Sequence, residues 1–176
     1  MSARTVLHEA DISRALTRIA HEILESNRGA ENLVLLGIPT RGVTLARRLA
    51  SVIGEIASTT VAVGALDVTM FRDDLAKHPT RSPRPTEIPA GGIYDKTVVL
   101  VDDVLFSGRS IRAALDALQS IGRPAVVRLA ILIDRGHREL PIRPDFVGKN
   151  IPSSRQERVN VRLHEDDGAE EVTIEA

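Results

Sequence analysis

The apolar positions of this chain change period several times, and each change marks an element. From Asp11 onward Ile12, Ala15, Leu16, Ile19, Ala20, Ile23 and Leu24 recur every three or four residues, which predicts an amphipathic helix with Asp11 as its N-cap. Residues 33–38 are almost wholly apolar, as a strand covered on both faces must be, and residues 42–53 return to helical spacing. Residues 59–70 are rich in β-branched side chains and read as strand, with Gly64 as a bulge or break. Residues 97–102 form a second buried strand. The stripe Ile111, Ala114, Leu115, Leu118 and Ile121 predicts a helix that Gly122 and Pro124 close. Residues 125–133 are a third strand, and residues 159–163 and 171–174 are placed to pair as a hairpin across HEDDG. Alternating strands and helices predict an α/β fold, a mostly parallel central sheet flanked by helices, in one domain over residues 1–176 with a small C-terminal appendage.

Residues 71–89 break the alternation. Pro79, Pro83, Pro85 and Pro89 stand there among charges, which neither a helix nor a central strand tolerates. Loops of this length inside a compact domain are more often functional lids than spacers.

Composition narrows the function classes. With 0 Cys, disulfides, thiolate metal sites and Cys nucleophiles are excluded, which fits a reducing compartment and a cytoplasmic location. No apolar run approaches the roughly 20 residues that cross a bilayer, so no membrane association is expected. A net charge of -1 rules out a strongly basic whole-chain footprint, so any nucleic-acid surface has to be local. One Tyr, three Phe and no Trp leave little for base-stacking platforms and require an aliphatic core.

The most informative stretch is VVLVDDVLFSGRS, residues 98–110, in which an apolar strand ends in Asp102 and Asp103 and a helix opens through Ser107, Gly108, Arg109 and Ser110. Ligands bind at the carboxyl ends of strands in open α/β sheets. The helix start offers unpaired N–H groups and partial positive charge, Gly108 permits close backbone approach, and two serine hydroxyls add donors: a phosphate cradle, though without the Walker or dinucleotide glycine spacing. Two adjacent acids do not hold a phosphate. They accept hydrogen bonds from sugar hydroxyls or ligate a hard cation, so a phosphorylated sugar satisfies both halves. A second strand-to-helix turn, GIPTRG at residues 37–42, places Thr40 and Arg41 at the same sheet edge.

The apolar run, twin acid and phosphate turn resemble the nucleotide-sugar fingerprint of the type I phosphoribosyltransferases. That resemblance implies 5-phosphoribosyl 1-diphosphate (PRPP) bound by Asp102, Asp103, Val104, Leu105, Phe106, Ser107, Gly108, Arg109 and Ser110. Thr40 and Arg41 would grip the diphosphate, on a loop that in the family often carries a cis peptide. Arg41, Asp102 and Asp103 are the implied catalytic residues. Arg72, Asp73 and Asp74 would root a lid over residues 71–89, with Arg81 and Arg84 toward its tip, excluding water from an oxocarbenium-like centre. DFVGKNIP, residues 145–152, resembles the base-binding segment of purine members, with Phe146 stacking on the base and Val147 contacting it through its main chain, in a hood over residues 134–163. Two purine-reading groups of those enzymes are replaced here, an acid by Phe106 and a Lys by Asp134, which favours a pyrimidine.

TRIAHEI, GIPTRG, FRDDL, VVLVDDVLFSGRS, DRGHRELPIRPDFVGKNIP and the strand near RVNVRL together resemble the bifunctional pyrimidine attenuation regulators with uracil phosphoribosyltransferase activity, over nearly the whole chain. The implied reaction is uracil plus PRPP giving UMP and diphosphate. Mg2+ would ride on the diphosphate with no ligand set of its own beyond Asp102 and Asp103. The resemblance also implies UMP-dependent binding to a pyrimidine-operon mRNA leader through Thr17, Arg18, His21, His137, Arg138, Arg143 and Lys149, and a homodimer that doubles the patch. Charge agrees locally: residues 134–162 are rich in Arg, whereas residues 164–176 hold Glu165, Asp166, Asp167, Glu170, Glu171 and Glu175 without Lys or Arg. Two other readings stay open at this point: a nucleic-acid regulator that keeps the fold only as a PRPP sensor, and a phosphoribosyltransferase with no RNA role.

Overall fold

In the computed structural model, residues 2–74 and 82–176 are described, and the chain runs β1 (Arg4–His8), α1 (Glu9–Asn27), β2 (Leu33–Gly37), α2 (Arg41–Ala57), β3 (Ala62–Ala65), a 3-10 turn (Thr69–Phe71), β4 (Thr97–Leu105), α3 (Arg109–Gln119), β5 (Val126–Asp134), β6 (Phe146–Asn150), β7 (Arg158–Arg162), α4 (His164–Asp167) and β8 (Glu171–Glu175). Five strands form an all-parallel sheet in the order β3-β2-β4-β5-β6. Helices cover it on both sides, which is why its central strands are apolar at successive positions. Leu35, Val99 and Val101 face α1 and α2, packing with Ile19, Ile23, Leu45, Leu49 and Ile53. Val34, Leu36, Val98 and Leu100 face the other way, onto Ile111, Ala114, Ala117 and Leu118 of α3.

The predicted hairpin of β7 and β8 is present, antiparallel, with Val161 opposite Val172, but β1 joins it to make a second sheet of order β1-β8-β7. The hood thus draws on both ends of the chain, not on residues 134–163 alone. Val6 and Leu7 are the β1 residues that rest on the core, and only Leu7 is fully buried, so a five-residue edge strand left little apolar signal.

Three local expectations are corrected. The first helix begins three residues earlier: His8 and not Asp11 is the N-cap, and Asp11 returns from the third helical position to accept the His8 N–H at 2.9 Å. On α3 the buried stripe keeps Ile111, Ala114 and Leu118 and adds Ala113 and Ala117, while Leu115 and, past the end of the helix, Ile121 are each 38% exposed. Gly64 lies inside regular β3 ladder. It is needed because residues 82–89 come back across it: Ala65 and Glu87 exchange hydrogen bonds, and a Cβ on Gly64 would meet the Glu87 carbonyl oxygen at 2.0 Å. Residues 75–81, which include Arg81 and part of the expected lid, lie outside the described residues.

Candidate active site

Parallel register brings the two turns together. β2 and β4 pair from Leu33–Thr97 to Gly37–Val101, so the chain leaves β2 through 38–41 directly beside Asp102. The Ile38 N–H is held by the Val101 carbonyl at 2.9 Å. The start of α2 then folds back so tightly that a Cβ on Gly42 would lie 2.5 Å from the Val101 oxygen and 3.2 Å from the Asp102 Cα. Glycine at this position is what allows α2 to begin against the twin acids. The Pro39–Thr40 peptide is cis, as the resemblance implies.

Asp102 is nearly buried, and its Oδ1 accepts the Asp103 N–H at 2.9 Å; Asp103 Oδ1 in turn accepts the Val104 N–H at 2.8 Å. Each carboxylate is therefore oriented by the next residue's amide. Beyond them the chain turns at Gly108, in left-handed conformation (φ 93°) and packed so that a Cβ would lie 3.0 Å from Ile142, and enters α3. The first amides of an eleven-residue helix point into a cavity of about 210 Å³ lined by Arg72, Asp74, Asp102 and residues 104–111. A neighbouring cavity of about 360 Å³ is lined by Pro39, Thr40, residues 67–69, Arg72 and residues 82–84. Arg72 lines both. Its guanidinium pairs with Asp74 at 2.9 and 3.1 Å, and that hydrogen bond outweighs burial in raising its pKa.

Several of the expected site residues have partners elsewhere in the chain. The Arg41 side chain turns to Asp167 of α4, with Nε and Nη2 on the two carboxylate oxygens at 3.0 and 2.6 Å. The Arg109 side chain points outward, bonded to Glu139 at 3.0 Å and Asp73 at 2.6 Å, so its backbone amide and not its guanidinium faces the cradle. Phe146 is 5% exposed within the core that α1 covers, and so it supports the sheet; the base-stacking role assigned to it does not fit that burial. Val147 lies two strands away from Asp102, across Ile131 of β5, and its carbonyl is taken by Arg18 at 3.0 Å. The hood strand that approaches β4 is β7, and Val159 of β7 and Val104 of β4 are both partly buried against the same core.

The expected RNA residues divide into groups. Arg138 is an internal brace: Nη2 to Asp134 at 2.6 Å, Nη1 to the Phe106 carbonyl at 2.9 Å and Nε to the Ile142 carbonyl at 2.9 Å leave it no free edge. His137 is likewise turned inward, its Nε2 on the Ser153 carbonyl and its ring edge-on to Phe106 at 5.9 Å, while Arg135 stacks over the same Phe106 at 4.3 Å. These residues brace the turn that follows β4. Arg143 and Lys149 are exposed, as are Thr17 and His21. Arg14, Arg18 and Lys149 share a groove of about 330 Å³ between α1 and β6, though the helix face is less cationic than its spacing suggested. Asp11 pairs with Arg14 at 2.6 Å and Glu22 with Arg18 at 2.9 Å. Thr17 borders a different groove, beside Arg48 and His164.

Residues 2–166 match the family model described as "Phosphoribosyl transferase domain". Relatives named "Bifunctional protein PyrR" are similar over nearly their whole length: 67% identical in Leifsonia xyli, covering 99% of this chain and 98% of the relative, and 62% identical in Streptomyces coelicolor, covering 99% and 90%. The chain belongs to the phosphoribosyl transferase family, in the branch of the bifunctional PyrR proteins. Solved phosphoribosyl transferases share the fold at low identity. Hypoxanthine phosphoribosyl transferase of Trypanosoma cruzi has a TM-score of 0.74 at 16% identity, covering 98% of this chain and 91% of that one. HGPRT-ase of Leishmania tarentolae in complex with GMP has a TM-score of 0.72 at 18% identity, covering 100% and 98%. For this phosphoribosyl transferase the sequence-level resemblance and the parallel sheet therefore agree. No described helix is long and apolar enough to cross a membrane.

Proposed function

We propose that this phosphoribosyl transferase converts uracil and PRPP to UMP and diphosphate, and that it also binds the leader of pyrimidine-operon mRNA when UMP is bound, acting in the cytoplasm as a homodimer. The observation that carries the enzyme reading is that Asp102, with Asp103 next to it in the chain, lines a cavity closed by the start of α3, and that Arg72 joins this cavity to a second one lined by Thr40. A sugar 5-phosphate suits the amides and hydroxyls of residues 107–110, ribose hydroxyls suit Asp102 and Asp103, and a diphosphate suits Thr40, Arg41, Arg72 and Arg84. The base nitrogen then replaces the diphosphate oxygen at the sugar's anomeric carbon. The twin acids supply negative charge beside the cationic ring as it forms.

Magnesium fits this site as a companion of the substrate. No group of three His, Asp or Glu among the described residues is placed to cage a metal, whereas Asp102 and Asp103 stand where they can assist an ion held mainly by PRPP, whose charge would ease departure of the diphosphate. A pyrimidine is supported by the absence of both purine-reading groups, since Phe106 lies under Arg135 and Asp134 is bonded to Arg138. RNA contact is supported by the groove that unites Arg14, Arg18 and Lys149.

The test is diphosphate release from PRPP with uracil, hypoxanthine or guanine as acceptor. Turnover is expected with uracil alone. Equal use of hypoxanthine refutes the pyrimidine assignment, and tight PRPP binding without turnover on any base makes the protein a sensor.

A further inference from the structure

Residues 164–170, the acidic run that the enzyme reading leaves unused, form a latch on the start of α2. Arg41, Thr44 and Arg48 lie along one face of that helix, and each is bonded to an acid of the run. Arg41 is held by Asp167, Thr44 Oγ1 by Asp166 at 2.7 Å, and Arg48 by both Glu165 and Glu170. Asp167 is itself fixed from two sides, because its Oδ2 takes the Leu163 backbone N–H at 2.9 Å as well as Arg41 Nε.

We infer that Asp167 is a positioning residue for Arg41, holding the guanidinium so that its remaining edge is presented to the diphosphate of PRPP. This inference rests on the transferase reading above. The carboxylate occupies the Nε and Nη2 edge, while among the described residues no acceptor takes Nη1, and the Arg41 side chain is 35% exposed. A guanidinium gripped on one edge keeps a second planar edge with two donors, and its orientation is settled before the anion arrives. Thr40, the residue before Arg41, lines the cavity that Arg72 joins to the twin-acid side, and Asp103 adds to the pull of Asp167 in raising the Arg41 pKa. The Arg41–Asp167 bond is also the largest cause of the lowered Asp167 pKa, so the latch acid is ionised at neutral pH.

The experiment titrates the full-length protein with magnesium diphosphate by calorimetry and measures KM for PRPP and for uracil. Asp167→Asn should weaken diphosphate binding and raise KM for PRPP about five- to twentyfold, leaving kcat and KM for uracil within about twofold. Asp167→Glu should recover most of the loss. In an Arg41→Gln background, Asp167→Asn should change nothing further. The inference is overturned if wild-type protein binds no diphosphate, if Asp167→Asn binds it as tightly as or more tightly than wild type, or if the penalty persists without Arg41. The transferase reading fails separately, by absence of uracil-dependent turnover, since the diphosphate titration requires none.

Discussion

Replacing Arg48 with Met removes the centre of the acidic latch, and the structure sets the size of the effect. Arg48 gives Nε and Nη2 to Glu165, and Nη1 and Nη2 to Glu170 at 2.5 and 2.8 Å. The two acids are not equivalent, for the Glu165 side chain is 50% exposed and that of Glu170 only 5%. An exposed pair contributes little, whereas stripping the partner from a buried carboxylate costs about 3–5 kcal/mol. Arg48 is itself 23% exposed, and Glu170 keeps the His164 N–H at 3.1 Å, so the loss belongs below that range, at about 2–3 kcal/mol at pH 7. For a chain of this size each kcal/mol lowers Tm by about 2–4 °C. Urea unfolding at several pH values is the assay. Arg48 holds the Glu165 carboxyl below its usual range. Burial pushes Glu170 up, but Arg48 and the His164 amide outweigh it and leave that pKa lowered too. Depressed folded-state values mean a contribution that is complete above the ordinary glutamate pKa of 4.5 and lost as pH falls through the lowered values. The gap between wild type and Arg48→Met should therefore close in acid. Adding Glu170→Gln should restore part of the stability at pH 7, since the uncompensated charge goes. A single variant within about 0.5 kcal/mol of wild type, well under the loss argued for a buried pair, or a double variant no better than the single, refutes the reasoning.

Asp102→Asn or Asp103→Asn removes an ionised acceptor from the sugar site, and kcat/KM should fall at least about tenfold; undiminished turnover in both takes the pair out of the chemistry. Gly42→Ala forces a Cβ against the Val101 oxygen, which should lower stability by about 1–3 kcal/mol and raise KM for PRPP; an unchanged urea midpoint and KM would mean that α2 has slack at its start. Lys149→Gln should weaken leader-RNA binding and flatten its salt dependence by roughly one unit for each phosphate no longer neutralised, with UMP synthesis intact. A salt titration matching wild type would return that groove to ordinary surface.

The strands and helices of the parallel sheet were legible because each carries a long signal: β2 and β4 are apolar at successive positions, and α1 and α2 keep helical spacing over more than four turns. The turn between β4 and α3 was legible because its residue types are dictated by short-range geometry, such as the left-handed Gly108. What failed was whatever depended on partners distant in sequence. Nothing near Arg41 announces Asp167, 126 residues later, and nothing near Arg138 announces that it would reach back to Phe106. Charged residues carry no periodic mark telling a brace from a ligand-binding group, so Arg138 and His137 read as surface cations when they hold the turn. Phe146 shows the converse, an aromatic assigned to the ligand that burial gives to the core.

Arg138 ties the Phe106 carbonyl to Asp134 at the end of β5, Arg135 and His137 tie the same Phe106 to residues 153 and 154, and the acidic run ties α2 to the segment between β7 and β8. The Arg138 bonds stay within the parallel-sheet side, Arg135 and His137 reach the connection that leads from β6 into β7, and the acidic run bonds α2 to the connection between β7 and β8. Apolar packing could hold the layers together, but it is non-directional and would let the hood slide over the sheet's edge. Bidentate guanidinium bonds fix angle as well as distance. Arginines at 41, 48 and 135 therefore fix how the connections on either side of β7 sit against the parallel sheet, and under the proposed transferase reading this is the orientation needed to bring a base to the anomeric carbon from one side with the diphosphate on the other.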